Sequence, residues 1–124
     1  MIYTILCYNY EDVIGAWTEE EDAAVMARLA VVQDRLDKAG KLGPVARLLP
    51  TTAATTLRKT GGEPLVIDGP FTETKEQLLG FYIVDCSDLE EALDIARDLA
   101  NANPSIGSYE LRPVSIFRPG TIAA

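Results

Sequence analysis

A chain of 124 residues, 48% hydrophobic and 24% charged, has the make-up of one globular domain and excludes long disorder. Its 19 acidic and 11 basic residues leave a net charge of −8, which repels phosphate backbones and anionic membranes, so neither nucleic acid nor a membrane is an expected partner. It contains no histidine, which removes Ser-His-Asp and Cys-His catalysis and imidazole metal ligation.

Residues 2–8 are β-branched, aromatic and apolar on both faces, and read as a central strand. Residues 9–17 read as a loop. Thr18 with Glu21 forms a capping box, and Glu19, Glu20 and Asp22 suit the positive end of a helix. Val25, Leu29, Val32, Leu36 and Ala39 then repeat in steps of four and three, one buried helical stripe that Gly40 ends. Residues 41–49 form a weaker strand, interrupted by Gly43-Pro44. Residues 55–59 and 65–68 flank Thr60-Gly61-Gly62-Glu63 and read as a hairpin.

Between that hairpin and the next apolar run lies a polar segment, residues 68–77. Thr74 with Gln77 is expected to cap one short helical turn that Gly80 ends. Residues 81–85 read as a second central strand. Ser87 with Glu90 forms another capping box, followed by a stripe of Leu89, Ala92, Leu93, Ala96, Leu99 and Ala100. Residues 109–114 are the last strand. Pro113 cannot donate to a ladder, which places that strand at an edge.

Two helices with one apolar stripe each cover one face of a mainly antiparallel sheet. The predicted fold is a ferredoxin-like α+β sandwich with an inserted β-hairpin over residues 1–117, and a loose tail over 118–124. The other face of the sheet also needs cover, and a second copy of the chain is the expected source. No apolar run approaches the ~20 residues needed to span a bilayer. No basic leader precedes the first strand, so a cytoplasmic location is expected. Cys7 and Cys86 are then reduced thiols at the ends of the two central strands. With those strands as parallel neighbours the sulfurs lie close, as an inert buried pair or a redox pair.

The run Asp68-Gly69-Pro70-Phe71, followed by Thr72-Glu73-Thr74-Lys75-Glu76-Gln77, resembles the signature of the YCII-related family in its DGPF-motif branch. Residues 3–8, Ala54-Thr55-Thr56-Leu57-Arg58, residues 80–85 and Glu110-Leu111-Arg112-Pro113-Val114 resemble other strands of that family, so the likeness covers nearly the whole chain. The resemblance implies a homodimeric α+β barrel with a pocket between sheet and helices, and no known reaction. Some relatives are encoded beside or fused to sigma-factor-type regulators, which makes such a regulator an implied partner. More distant relatives carry a histidine–aspartate pair proposed as catalytic. A chain without histidine cannot carry that pair.

The site candidates follow from this segment. Asp68 can hold the Gly69-Pro70 turn by accepting backbone N–H bonds, or it can stand free in a pocket as a general base. Phe71 is expected to anchor the loop on the body. Glu73 turned inward beside Asp68 would make an acid–base pair. Arg112 can fork onto Asp68, Glu73 or a ligand carboxylate, and the Tyr82 hydroxyl can face the pocket. The expected binding set is therefore Asp68, Gly69, Pro70, Phe71, Arg112 and Tyr82, with Asp68 and Glu73 as the catalytic candidates. No metal or other cofactor is implied. The leading functional reading is a dimeric domain that binds a small, partly apolar metabolite beside the 68–71 motif. The alternatives are an enzyme using carboxylate chemistry there, and an interaction module partnering a transcription regulator.

Overall fold

The N-terminal apolar run forms β1 (Ile2–Asn9), and the run around Gly80 forms β5 (Gln77–Asp85). In the computed structural model, which describes residues 1–123, these strands pair antiparallel at the centre of a four-stranded sheet. Residue 124 of the expected tail lies outside the described residues. The strand order is β2-β5-β1-β6, with β2 (Leu42–Arg47) and β6 (Gly107–Pro113) as edges, each antiparallel to its neighbour. Both edges carry a proline, as edges tolerate. Pro113 closes β6 opposite Tyr3, and the register of β2 slips between Leu42 and Val45, around Pro44.

Helices α2 (Glu19–Lys38) and α3 (Leu89–Ala102) cover one face of this sheet. At the start of α2 the Thr18 hydroxyl accepts from the Glu21 N–H, and the Glu21 carboxylate accepts from the Thr18 N–H, both at 3.1 Å. Val25, Val32 and Leu36 are its buried stripe; Ala39 falls beyond it as the exposed C-terminal cap. On α3 the buried set is Ala92, Ile95, Ala96, Leu99 and Ala102, so Ile95 joins the predicted stripe and exposed Leu89 leaves it. These side chains meet Tyr3, Ile5, Tyr82 and Val84, and Ile5, Val84 and Leu99 are fully buried. Arg28 Nε donates to the Ala102 carbonyl at 2.9 Å, satisfying a carbonyl at the end of α3 from the neighbouring helix. The architecture is the expected ferredoxin-like sandwich. Its inserted hairpin, β3 (Thr55–Arg58) and β4 (Leu65–Asp68), forms a separate two-stranded sheet.

Because Tyr3, Ile5, Tyr82 and Val84 face the helices, the alternation of a strand turns Ile2, Leu6, Phe81 and Ile83 to the other side. These four are only half-buried. Among the described residues, no helix layer covers this apolar sheet face.

Several local expectations are corrected. The 9–17 loop contains a five-residue helix, α1 (Glu11–Gly15), too short to show an apolar period. Residues 74–76 are not helical, and Gln77 already opens β5. The Thr74 hydroxyl donates to the Glu76 carbonyl instead of accepting from a helical N–H, so the side chains that mimic a capping box hold a bend. The cap of α3 is Asp88, one residue after Ser87; its carboxylate accepts from the Glu91 N–H at 2.9 Å, a stronger partner for a helix start than a hydroxyl.

The two cysteines are also corrected. β1 and β5 run antiparallel, so Cys86 sits beside Met1, to whose carbonyl its N–H donates at 2.8 Å. Cys7 lies opposite Gly80, at the far end of β1. Six residues of strand separate the two positions, about 20 Å. They cannot pair within the protomer.

Gly80 does not end a helix. It sits in β5 where β2 approaches closely: a Cβ there would press into the Ala46 carbonyl oxygen, with the Arg47 Cα at 3.2 Å. Both obstacles are backbone. Gly80→Ala is expected to destabilise the fold by about 1–3 kcal/mol, the usual cost of overpacking. Urea denaturation measures it, and an unchanged midpoint would show that β2 gives way freely.

Candidate functional site

Two hollows of the protomer take in residues of the sequence-predicted set. The first is a cavity of about 120 Å³ between the sheet and helices α1 and α2, lined by Cys7, Trp17, Leu29, Gln33, Tyr82 and Tyr109 among others. Its walls are largely apolar because the inward residues of β1, β5 and α2 are the core pattern itself. Gln33 Nε2 donates to the Tyr82 hydroxyl at 3.3 Å. Arg47 reaches the rim from β2, where it holds Asp22 of α2 with two hydrogen bonds, 2.8 and 3.2 Å. That contact holds the Asp22 carboxyl below its ordinary range and ties the first turn of α2 to the sheet edge.

Burial sets the chemistry of this cavity. It pushes the Cys7 thiol from 9.0 up to about 12. It also pushes the Tyr109 hydroxyl up to about 12, with Cys7 and Tyr82 adding to the shift. The Tyr82 hydroxyl is raised by burial against the opposing effect of Gln33. At neutral pH all three therefore keep their protons. They can donate hydrogen bonds to a ligand; they are not ionised nucleophiles or bases.

The second hollow is an open groove of about 1010 Å³ between residues 47–54 and 69–78, with Tyr8 and Leu78 at the sheet end. Its walls are built by side-chain clamps. Pro50 starts a 3-10 turn, Thr51–Ala53, whose N–H and hydroxyl at Thr51 both donate to the Glu11 carboxylate of α1, at 2.6 and 2.7 Å. Gln77 accepts from the Glu11 N–H at 3.0 Å and donates to the Thr74 carbonyl at 2.6 Å. Across the groove, the Gly69 N–H donates to the Ala54 carbonyl at 2.7 Å and the Thr56 hydroxyl donates to the Gly69 carbonyl at 2.8 Å. Gly69 has φ +108°, a conformation closed to residues with a Cβ, which explains glycine ahead of proline here.

The predicted set is split by this geometry. Gly69, Pro70, Phe71 and Glu73 line the groove. Asp68 ends β4 opposite Thr55, exposed, and outside the lining. Among the described residues no backbone N–H donates to its carboxylate; the turn is held by Gly69 and Thr56 instead. Phe71 is 74% exposed, so it does not anchor the loop on its own protomer. Arg112 lies on the helix-free sheet face, 4.0 Å from Glu110 and in register with Thr4, several residues along the strand from the groove end at Tyr8. Tyr82 belongs to the helix side and the first cavity.

Sequence reasoning missed Gln33, Arg47 and the 48–54 wall. The alternation of β1, which puts Tyr8 and Cys7 on opposite faces, was the available signal that two hollows exist. The rest depends on which segments meet.

The fold and these hollows define a mixed α+β domain with an antiparallel sheet covered on one side. The pattern of the YCII-related domain matches residues 1–118, and the chain belongs to that family. It is 63% identical over 122 residues to an uncharacterised protein of Rhizobium meliloti (strain 1021), a match covering 98% of each chain. No helix among the described residues is long and apolar enough to cross a membrane.

Two tests follow. Below pH 9 the Cys7 thiol is protonated whether the chain is folded or not, and its contribution to stability is fully present. Between pH 9 and about 12 the unfolded chain loses that proton first, so stability falls as pH rises. Cys7→Ala is expected to flatten this alkaline fall in thermal melts; an unchanged slope would mean the thiol is not shielded. Thr56→Val is expected to cost about 0.5–1.5 kcal/mol by removing a hydrogen bond from the turn, whereas Asp68→Ala stays within about 0.5 kcal/mol of wild type. The reverse order in chemical denaturation would restore Asp68 as the turn's brace.

Proposed function

We propose that this protein is a cytoplasmic homodimer of the DGPF-motif branch, and that it binds a small, partly apolar metabolite in the groove beside the 68–71 motif. The branch reading is supported by the unbroken Asp68-Gly69-Pro70-Phe71 run. The observation that carries the binding role is the groove itself: about 1010 Å³, walled by Leu48, Pro50 and Phe71 together with hydroxyls and amides from Thr51, Thr72 and Gln77. Apolar walls with a few fixed polar groups are the make-up of a small-molecule site. Thr51 and Gln77 are already immobilised by Glu11, so less ordering is lost on binding. Asp68 stands next to the groove with a carboxylate free for a donor group on the ligand.

The dimer is supported by the uncovered apolar face of the sheet. Tyr8 and Leu78 stand where that face runs into the groove, so a second copy packed there adds a wall to the site. Binding ranks above catalysis because Asp68 and Glu73 are exposed and do not touch each other through any hydrogen bond, and because the cavity's thiol and phenols stay protonated. Partnership with a sigma-factor-type regulator has the family analogy alone behind it.

A thermal-shift screen with a metabolite library tests the binding role. A ligand at about 100 times its Kd should stabilise wild type by about 2.7 kcal/mol. Thr72→Trp, which fills the groove from an exposed position, should abolish that shift, and Asp68→Asn should weaken it. A ligand that stabilises Thr72→Trp as much as wild type binds elsewhere and defeats the proposal.

A further inference from the structure

We propose that the β3–β4 hairpin is a clasp that grips a second copy of the chain and, by doing so, fixes one wall of the groove. The inference rests on the homodimer reading above and adds what joins the copies. The hairpin pairs Thr55 to Arg58 with Leu65 to Asp68, and neither strand joins the main sheet. A two-stranded hairpin on its own is marginal in water. This one is also apolar where it meets solvent. Leu57, Leu65 and Val66 are 64%, 53% and 72% exposed, Ile67 is 38% and Phe71 at its base is 74%. Leu57 faces Val66 across the ladder, whereas Leu65 and Ile67 alternate to the other side, so both faces of the hairpin carry apolar groups. A patch of this kind marks a contact surface.

Area decides the occupant. Full burial of one such side chain hides on the order of 100 Å² of apolar surface. The five exposed fractions amount to roughly three side chains, about 300 Å² per hairpin. One hairpin docked on an unrelated protein hides about 600 Å² counting both sides, short of a stable interface. Two hairpins exchanged about a two-fold axis hide about 1,200 Å², where stable interfaces begin, before the open sheet faces add their share. The same chain supplies both halves of the match: an apolar arm and an apolar sheet face, each without cover. Gly69, Pro70 and Phe71 continue from the base of β4 into the groove wall. A gripped hairpin therefore holds that wall still, and the site is complete only in the dimer.

The test pairs light scattering with far-UV circular dichroism on the whole chain. Leu57→Lys with Val66→Lys places two charges at positions that are solvated in the protomer. Wild type is expected at twice the chain's 13.5 kDa. The double variant is expected at 13.5 kDa with an unchanged spectrum, its dimer dissociation constant raised about 100-fold or more. A double variant that dimerises like wild type overturns the clasp and leaves the dimer reading standing. A wild type at 13.5 kDa overturns both. Should the double variant lose its fold, amide exchange on wild type decides. The β3–β4 amides should be protected at high protein concentration and exchange faster on dilution into the monomer. Protection that ignores concentration overturns the clasp.

Discussion

β1 and β5 pair antiparallel from Ile2 opposite Asp85 to Asn9 opposite Gln77, and the rest of the protomer takes its position from that ladder. The pairing puts Tyr3, Ile5, Tyr82 and Val84 on one side, where α2 and α3 bury them. It puts Ile2, Leu6, Phe81 and Ile83 on the other, where no helix follows. A slip of one residue would exchange the two sets and strand the core in solvent, which is why the register is strongly specified. The ladder is irregular at one point, between Cys7 and Tyr8. Cys7 lines the cavity under the helices and Tyr8 the groove, so both hollows begin at the same irregularity.

The two hollows differ in what water allows them to do. In the cavity under the helices, burial keeps the thiol and the phenols protonated, and the charged Arg47 at its rim is held by Asp22. That environment suits an apolar guest with an acceptor and offers no base. The groove is walled by clamped loops; Glu73 in its lining and Asp68 beside it are both in contact with water. Exposed carboxylates recognise cations and donors at modest strength. Neither hollow assembles the predicted constellation of Asp68, Arg112 and Tyr82, whose members lie on the hairpin, the open sheet face and the helix face respectively.

The inserted hairpin is where local and global preferences part. Its strands pair from Thr55–Asp68 to Arg58–Leu65, yet its apolar side chains point to solvent in the protomer. Sequences whose levels disagree in this way commonly do so at a functional surface. The hairpin runs straight into the 68–71 motif, so whatever covers the one constrains the other.

Much of the fold was legible in the chain. Thr18, Glu21 and the stripe of Val25, Val32 and Leu36 announce α2, Pro113 announces an edge, and the two-sided apolar runs announce β1 and β5 as central. Each of these is a local regularity, set by the period of one element and readable within a few residues. The role of Asp68 as turn brace, the helical turn at Thr74 and the nearness of Cys7 to Cys86 were misread for one reason. Each depends on a partner chosen across the fold: Thr56 reaching Gly69, β2 crowding Gly80, β1 running opposite to β5. The sequence by itself determined the two long helices, the strands, their apolar faces and the family, because those follow from side-chain pattern. Only the tertiary structure decided that the 68–71 motif borders an open groove while Tyr82 lines a separate cavity, because strand direction and loop contacts are settled by the packing of distant segments.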